Sequence, residues 1–476
     1  MHDVEKSSLR ELSAPGSQTS PGSVLPPDPD VHLTLEERVN IERKLIRTLD
    51  WALLPWLCVL YLLAFLDRTN IGNAKIAGLG RDTNLVGDQF EICLSIFFIP
   101  YSLCIEPLTN VLLKKWRPSL FIPAIMILWG ASMTGMGFCQ NFSGLAAARW
   151  FLGLAECGLF PGVNYYLSCW YKRSELGVRT AIFFSAAALA GSFGGLLAAG
   201  IERMDGRANL RGWQWIFILE GLLTIVFGTA SFWMVYDFPD EASFLSDDDR
   251  ARVIRRLKLD KQSSADREEW KMDYLITALK DWKMWLGMFV YAGCLMPVYA
   301  FAFFLPSIVQ ELGMGADVIR VQLLTVPPYA VGALLTVVVG YLSDRTGQRG
   351  VKYAGTFLGA AGIYPCISNT ITWVANNIED VYKRGVVLGF VIGWGNLNGI
   401  VSSNIYRSGP PYLEGHGVVM AYLIVFLFGG SLLMTTLLRA ENKKRRARER
   451  DYLFEGKGQQ EIAALGDMRP DFYYTV

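Results

Sequence analysis

The chain has 476 residues, 52% hydrophobic and only 19% charged, with 14 Trp, 27 Phe and a formal net charge of +1. Charge is too sparse for the surfaces of several water-soluble domains, so the apolar excess requires lipid as its solvent, and the short Lys/Arg clusters between apolar runs exclude a nucleic-acid groove. Eight Cys without CxxC spacing and three His exclude a disulfide framework or metal centre, and the chain holds no nucleophile–base set or nucleotide loop, so neither an enzyme nor a cofactor is expected.

Residues 1–33 are polar and rich in Ser and Pro, which predicts a disordered cytoplasmic tail with targeting left to the first membrane span. Thr34 ahead of Glu36 and Glu37 starts an amphipathic helix over 34–50 at the inner surface. Six apolar runs follow, at about 51–67, 91–113, 119–138, 145–168, 178–201 and 214–236, and form an N-terminal six-helix bundle over 51–236. A mixed-charge cytoplasmic linker occupies 237–281. Five more runs, at about 284–309, 321–342, 353–375, 385–406 and 417–438, form a C-terminal bundle over 282–440, and a basic, then polar, tail covers 441–476.

The fold class is therefore all-α: a polytopic membrane protein of two helical bundles with about eleven spans. Lys114, Lys115 and Arg117, then Lys172 and Arg173, the linker, and Arg345, Arg349 and Lys352 all fall on one side, which is the inside. Arg68, Lys75, Arg81 and Arg203, Arg207, Arg211 lie in outer breaks, so the bias is a trend. An odd number of spans would put ENKKRRARER outside, against that trend. Either the chain has eleven spans with a weak topology signal, or one helix is absent between the SDRTGQRG hairpin and Val351; the second reading is adopted.

Ionisable groups within apolar runs are functional candidates. Arg149 offers a guanidinium for bidentate binding of a carboxylate, and Glu156, seven residues on and on about the same helix face, is the first candidate to carry a coupling proton. The alternative for both is to tie their helix to its neighbours. Asp67 is the second proton candidate; it and Arg68 either pair with each other or line the outer mouth, and as chain neighbours they face different partners. Glu220 sits near an outer helix end, where plain solvation is an alternative. Asn396 and Asn398 need partners from another helix or from substrate, and Tyr101, Tyr165, Tyr166, Trp170, Tyr299, Trp373 and Trp394 are cavity candidates among aromatics that also collect at membrane interfaces.

Several stretches carry a resemblance. GYLSDRTGQR (340–349) resembles the cytoplasmic hairpin of the major facilitator superfamily, with Gly340, Asp344, Arg345, Gly347 and Arg349 in matching positions. FLDRTNIGNAKIAGL (65–79), RWFLGLAECGLFPGVNYYLSCWYKRSELGVR (149–179), GWQWIFILEG (212–221) and GWGNLNG (393–399) resemble its fungal allantoate permease group of anion:cation symporters. The resemblance spans about 50–440. It implies a twelve-span fold, so the absent element is the ninth helix, after Gly350. It also implies that Gly340, Asp344, Arg345 and Arg349 form a conformational latch, with Lys114 and Lys115 in the first-half counterpart EPLTNVLLKKW, where Asn110 replaces the usual aspartate.

That resemblance implies proton-coupled transport of a small carboxylate-bearing nutrient such as nicotinate, pantothenate, biotin, allantoate or tartrate. The expected partners are substrate, protons and the lipid bilayer, in a monomer at the plasma membrane. The rival reading is a non-transporting nutrient sensor, or a defective isoform lacking one helix.

Overall fold

The computed structural model describes residues 26–103, 116–259, 272–311, 318–331, 334, 360–379, 381–406, 412–456, 458 and 465–476. The latch candidates Lys114, Lys115, Gly340, Asp344, Arg345 and Arg349 lie outside the described residues, as does the chain at Gly350 where a helix is expected to be absent.

Thr34 caps the first helix as its sequence predicts, exchanging hydrogen bonds with Glu37 in a capping box. That helix, α1 (Leu35–Ile76), is continuous for 42 residues. The separate surface helix expected over 34–50 is thus the lower part of the first span. The span also does not end at Asp67: the chain stays helical through Arg68, Asn70 and Asn73, all buried. For Asp67 and Arg68, partners supplied by neighbouring helices let the charges remain inside, where hydropathy alone places a helix end.

The first bundle continues with α2 (Gln89–Leu103), α3 (Pro118–Met136), α4 (Phe142–Glu156), α5 (Leu159–Ser168), α6 (Arg173–Ile201) and α7 (Gly212–Met234). The run expected as one span over 145–168 is two helices, interrupted at Cys157 and Gly158. Pro161 supplies the cause: it has no N–H to offer the carbonyl of Cys157 one turn earlier. Glu156 therefore ends a helix in mid-span.

The linker forms α8 (Asp247–Leu259) and α9 (Met272–Lys280). Arg256 of α8 is buried against the first bundle, donating to the Trp170 carbonyl at 3.2 Å and to Glu175 at 3.2 Å. The second bundle contains α10 (Trp282–Glu311), α11 (Val318–Leu324), α12 (Ala360–Asn376), α13 (Val381–Asn404) and α14 (Leu413–Arg446), the last with a π-helical stretch over Tyr422–Gly429. Seven helices among the described residues are long and apolar enough to cross a membrane. Large apolar side chains such as Trp233, Val226, Leu128 and Phe151 are exposed, while Asp67, Arg68, Arg149, Glu156 and Glu220 are inside. This inversion fits a surrounding lipid phase.

The bundles meet near the ends of α1, α2, α6, α10 and α13 that the charge pattern places outside. Asn404 donates to Ser95 at 2.9 Å, and Ser192 donates to the Val326 carbonyl at 3.3 Å. Gly72 lets the α1 backbone reach α10 so closely that a Cβ there would lie 2.6 Å from the Phe303 carbonyl oxygen.

Candidate functional site

Arg68 occupies the centre of the interface between the bundles. Its Nε donates to Glu156 Oε1 at 3.1 Å, its Nη2 forms an ion pair with the same oxygen, and its Nη1 donates to Tyr299 Oη at 2.6 Å. Tyr299 in turn donates to Asn396 Oδ1 at 2.6 Å. One polar chain thus runs from α4 through α1 to α10 and α13, joining the halves of the molecule. Arg68 is 3% exposed, Glu156 1%, Tyr299 1% and Asn396 3%, so the chain is sealed from solvent in this conformation.

Aromatic rings hold the guanidinium from the sides. Arg68 lies 4.4 Å from the Tyr101 ring centroid and 5.4 Å from that of Phe97. The quadrupole of such rings favours a cation where bulk water is absent. Buried polar atoms without a hydrogen-bond partner among the described residues include Glu156 Oε2, both polar atoms of the Asn70 amide, Asp67 Oδ1, Arg149 Nη2 and both polar atoms of the Gln322 amide. Native interiors leave few such atoms unpaired, which makes them candidates for contact with water or a ligand.

Arg149, expected to bind the substrate, is placed otherwise. It is fully buried within the first bundle, donating to the carbonyls of Cys93 and Arg68 at 3.3 Å each, and packs 4.9 Å from the Phe97 centroid. Seven residues do put Arg149 and Glu156 on one face, but about 10 Å apart along the axis. Arg149 braces the backbone of α1, while the cation at the level of Glu156 is Arg68, contributed by another helix.

Asp67 points away from this chain. Its Oδ2 accepts from Trp129 at 2.9 Å and Thr224 at 2.7 Å, inside the first bundle. Asp67 and Arg68 thus have different partners, and neither lines an outer mouth. Glu220, one turn before Thr224 on α7, is 3% exposed, and both its carboxylate oxygens lack a partner among the described residues. The solvated position considered from the sequence is therefore corrected to a buried one.

The remaining candidates separate by helix geometry. Asn396 joins the central chain, whereas Asn398, two residues on and about 200° round the helix, accepts from Tyr422 of α14 at 2.9 Å. Trp394 is 40% exposed, and two residues of helix turn it about 200° from Asn396, off the face that meets Tyr299. Tyr165 lies nine residues beyond Glu156 and packs edge-on to Phe238 at 6.3 Å, well below the central layer. Tyr101, one of the cavity candidates of the sequence, cradles Arg68 together with Phe97, which carries no spacing signal that sets it apart from other span aromatics.

A polytopic helical protein whose two bundles share a sealed, charged centre is built as a membrane transporter. The chain belongs to the major facilitator superfamily, whose family model matches residues 57–434. It is 36% identical over 412 residues to an uncharacterized transporter of Schizosaccharomyces pombe, with 81% of each chain covered. It is 30% identical over 433 residues to the high-affinity nicotinic acid transporter of Saccharomyces cerevisiae, covering 86% of this chain and 80% of that one. Among solved structures, it resembles a bacterial homologue of the human lysosomal transporter Spinster with a TM-score of 0.53 at 15% identity, over 88% of this chain and 89% of the other, which shows the shared fold. The protein is an integral, multi-pass membrane transporter that binds a small-molecule substrate, and it is not an enzyme.

Proposed function

We propose that this transporter is a proton symporter of a small carboxylate-bearing nutrient, acting as a monomer in the plasma membrane and belonging to the allantoate permease group. The observation that carries the reading is the position of Arg68, held by Glu156 of one bundle and by the Tyr299–Asn396 pair of the other. A buried guanidinium held by one carboxylate is suited to exchange it for another. The nicotinic acid transporter among the relatives bears a name that specifies a carboxylic acid.

In the proposed cycle, ionised Glu156 holds Arg68 while the site is empty. A proton entering the site neutralises Glu156 and loosens its grip, and Arg68 then takes the substrate carboxylate in bidentate fashion. Asp67 is the second proton-carrying candidate. Tyr299 and Asn396 follow the substrate, so its arrival is sensed by the second bundle and the bundles rock about it. A proton crossing with a monovalent anion moves no net charge. The inside-negative potential, which costs about 2.3 kcal/mol per charge per 100 mV, then does not oppose uptake.

The test is uptake of radiolabelled nicotinate, pantothenate, biotin, allantoate and tartrate by cells expressing the chain, with and without a protonophore. Accumulation of at least one carboxylate that collapses with the protonophore supports the reading. Uptake of none above empty cells, from protein present at the surface, overturns it.

A further inference from the structure

The C-terminal residues expected as a polar tail are folded onto the inner end of the second bundle. Asp467 is 2% exposed and lies between two ammonium groups, paired with Lys283 Nζ through one oxygen and with Lys383 Nζ at 2.9 Å through the other. Lys283 starts α10 and Lys383 starts α13. The Asn442 side chain donates to the Tyr474 carbonyl and accepts from the Tyr474 N–H, each at 2.8 Å. Asn377 treats Thr475 the same way, accepting its N–H at 2.8 Å and donating to its carbonyl at 3.0 Å. Arg445 adds bonds to Tyr474 Oη at 2.8 Å and to the Asp467 carbonyl at 3.1 Å. Asp281 completes the cluster, pairing with Lys383 Nζ at 2.7 Å and Lys283 Nζ at 3.5 Å. Two side-chain amides reading consecutive backbone units, around a buried four-charge cluster, specify one seated position for this segment.

The two helices joined by Asp467 are the two that supply the second bundle's part of the central chain. Tyr299 lies about 24 Å above Lys283 on α10, and Asn396 about 20 Å above Lys383 on α13. Between these levels the helices pack without slack. Gly395 lies against the Tyr291 ring, and Gly287 faces Val374 and Val391. A change of spacing at the inner ends is therefore carried up the pair, because close-packed helices shift as units.

We propose that Asp467 is a positioning residue for transport: by completing, with Asp281, the clamp on Lys283 and Lys383 it fixes the spacing of α10 and α13, and through them the register of Tyr299 against Asn396. The assignment rests on the transport reading only in naming what is positioned. Its test uses no substrate, so its failure is distinct from failure of that reading.

The test compares the full chain in lipid nanodiscs with Asp467→Ala and Asp467→Glu. Nitroxide labels at Trp285→Cys and Phe390→Cys, both lipid-exposed positions on α10 and α13, report spacing after replacement of the native cysteines. Amide exchange reports both the tail and the segments around Tyr299 and Asn396. Asp467→Ala is expected to speed exchange over 465–476 roughly 100-fold, as for a buried ion pair that loses one member. It also shifts or broadens the α10–α13 distance by about 2 Å, the scale of a packed-helix displacement, and speeds exchange near Tyr299, while Asp467→Glu restores both. Should Asp467→Ala fail to fold, a protease site placed at Gly458 releases the tail from already folded protein, with the same expectation. Tail exchange that rises while the distance and the protection around Tyr299 and Asn396 stay unchanged overturns the proposal.

Discussion

Arg68 and Glu156 form a buried ion pair in which the arginine has a second obligation, its hydrogen bond to Tyr299 across the bundle interface. A pair of this kind contributes little net stability, because desolvation of both charges offsets most of their attraction. Its value lies in being exchangeable. Removing or neutralising either member frees the other for a new partner of matching charge.

Glu156→Gln separates coupling from binding. The amide keeps a hydrogen-bond acceptor for Arg68 but takes no proton, so uphill accumulation driven by a pH gradient is expected to vanish while exchange of internal for external substrate persists. Counterflow and net uptake in proteoliposomes read the two processes side by side. Accumulation that keeps its pH dependence in this variant removes Glu156 from the proton path.

Arg149→Met distinguishes a brace from a ligand. Loss of two buried, charged hydrogen bonds to the Cys93 and Arg68 carbonyls is expected to cost on the order of 2–4 kcal/mol. Thermal unfolding should therefore shift clearly downward, while the Michaelis constant of the protein that remains folded changes little. A large rise in that constant with stability intact returns Arg149 to the substrate site.

Gly72 and Gly399 are two of the places where the bundles touch closely, Gly72 against the Phe303 carbonyl and Gly399 against the Phe98 ring. A leucine at either position has no room when these surfaces are together. Gly72→Leu and Gly399→Leu are each expected to hold the outer side open, so that a cysteine placed at Ser95 becomes reactive to an impermeant thiol reagent and transport falls. Unchanged labelling in both variants contradicts the closed outer face described above.

The seated tail has a definite pH behaviour. Burial alone raises the Asp467 carboxyl, but Lys283 and Lys383 outweigh burial and hold it below its ordinary value. A carboxyl depressed in the folded state contributes stability that is complete above its unfolded value, near pH 3.9, and is lost as pH falls through the lower folded value. Amide protection over 465–476 is therefore expected to stay level from about pH 5 to about pH 8. Release of the tail near pH 6 would show another group in control.

Sequence alone carried the all-α class and the two bundles, because lipid as solvent imposes a length on every apolar run. It also pointed to Glu156, Tyr299 and Asn396, since buried polar groups stand out in such runs. The cation it puts forward is Arg149, whereas the one the structure brings against Glu156 is Arg68. Hydropathy ends the first span at Asp67 because it assigns an exposed helix end to the first charge it meets, whereas Trp129, Thr224, Glu156 and Tyr299 supply partners from four other helices. Those partners are set by packing, which no local pattern encodes. Asn398 stands out as an amide in an apolar run and Trp394 as a span aromatic, and the helical period turns each to another face than Asn396. The docked C-terminus was hidden for a similar reason: Asp467 and Tyr474 look like tail residues until Lys283, Lys383 and Asn442 are brought beneath them.

In the proposed cycle Arg68 exchanges Glu156 for the substrate carboxylate. Binding of a transported carboxylate to purified wild-type and Arg68→Lys protein, at about pH 5 and about pH 7.5, reads that exchange. Lysine keeps the charge but cannot fork between two partners, so affinity is expected to fall by roughly ten- to a hundred-fold, and wild-type affinity to be greater at the acid pH. Equal affinity in the two proteins, or wild-type binding that ignores pH, would contradict the account.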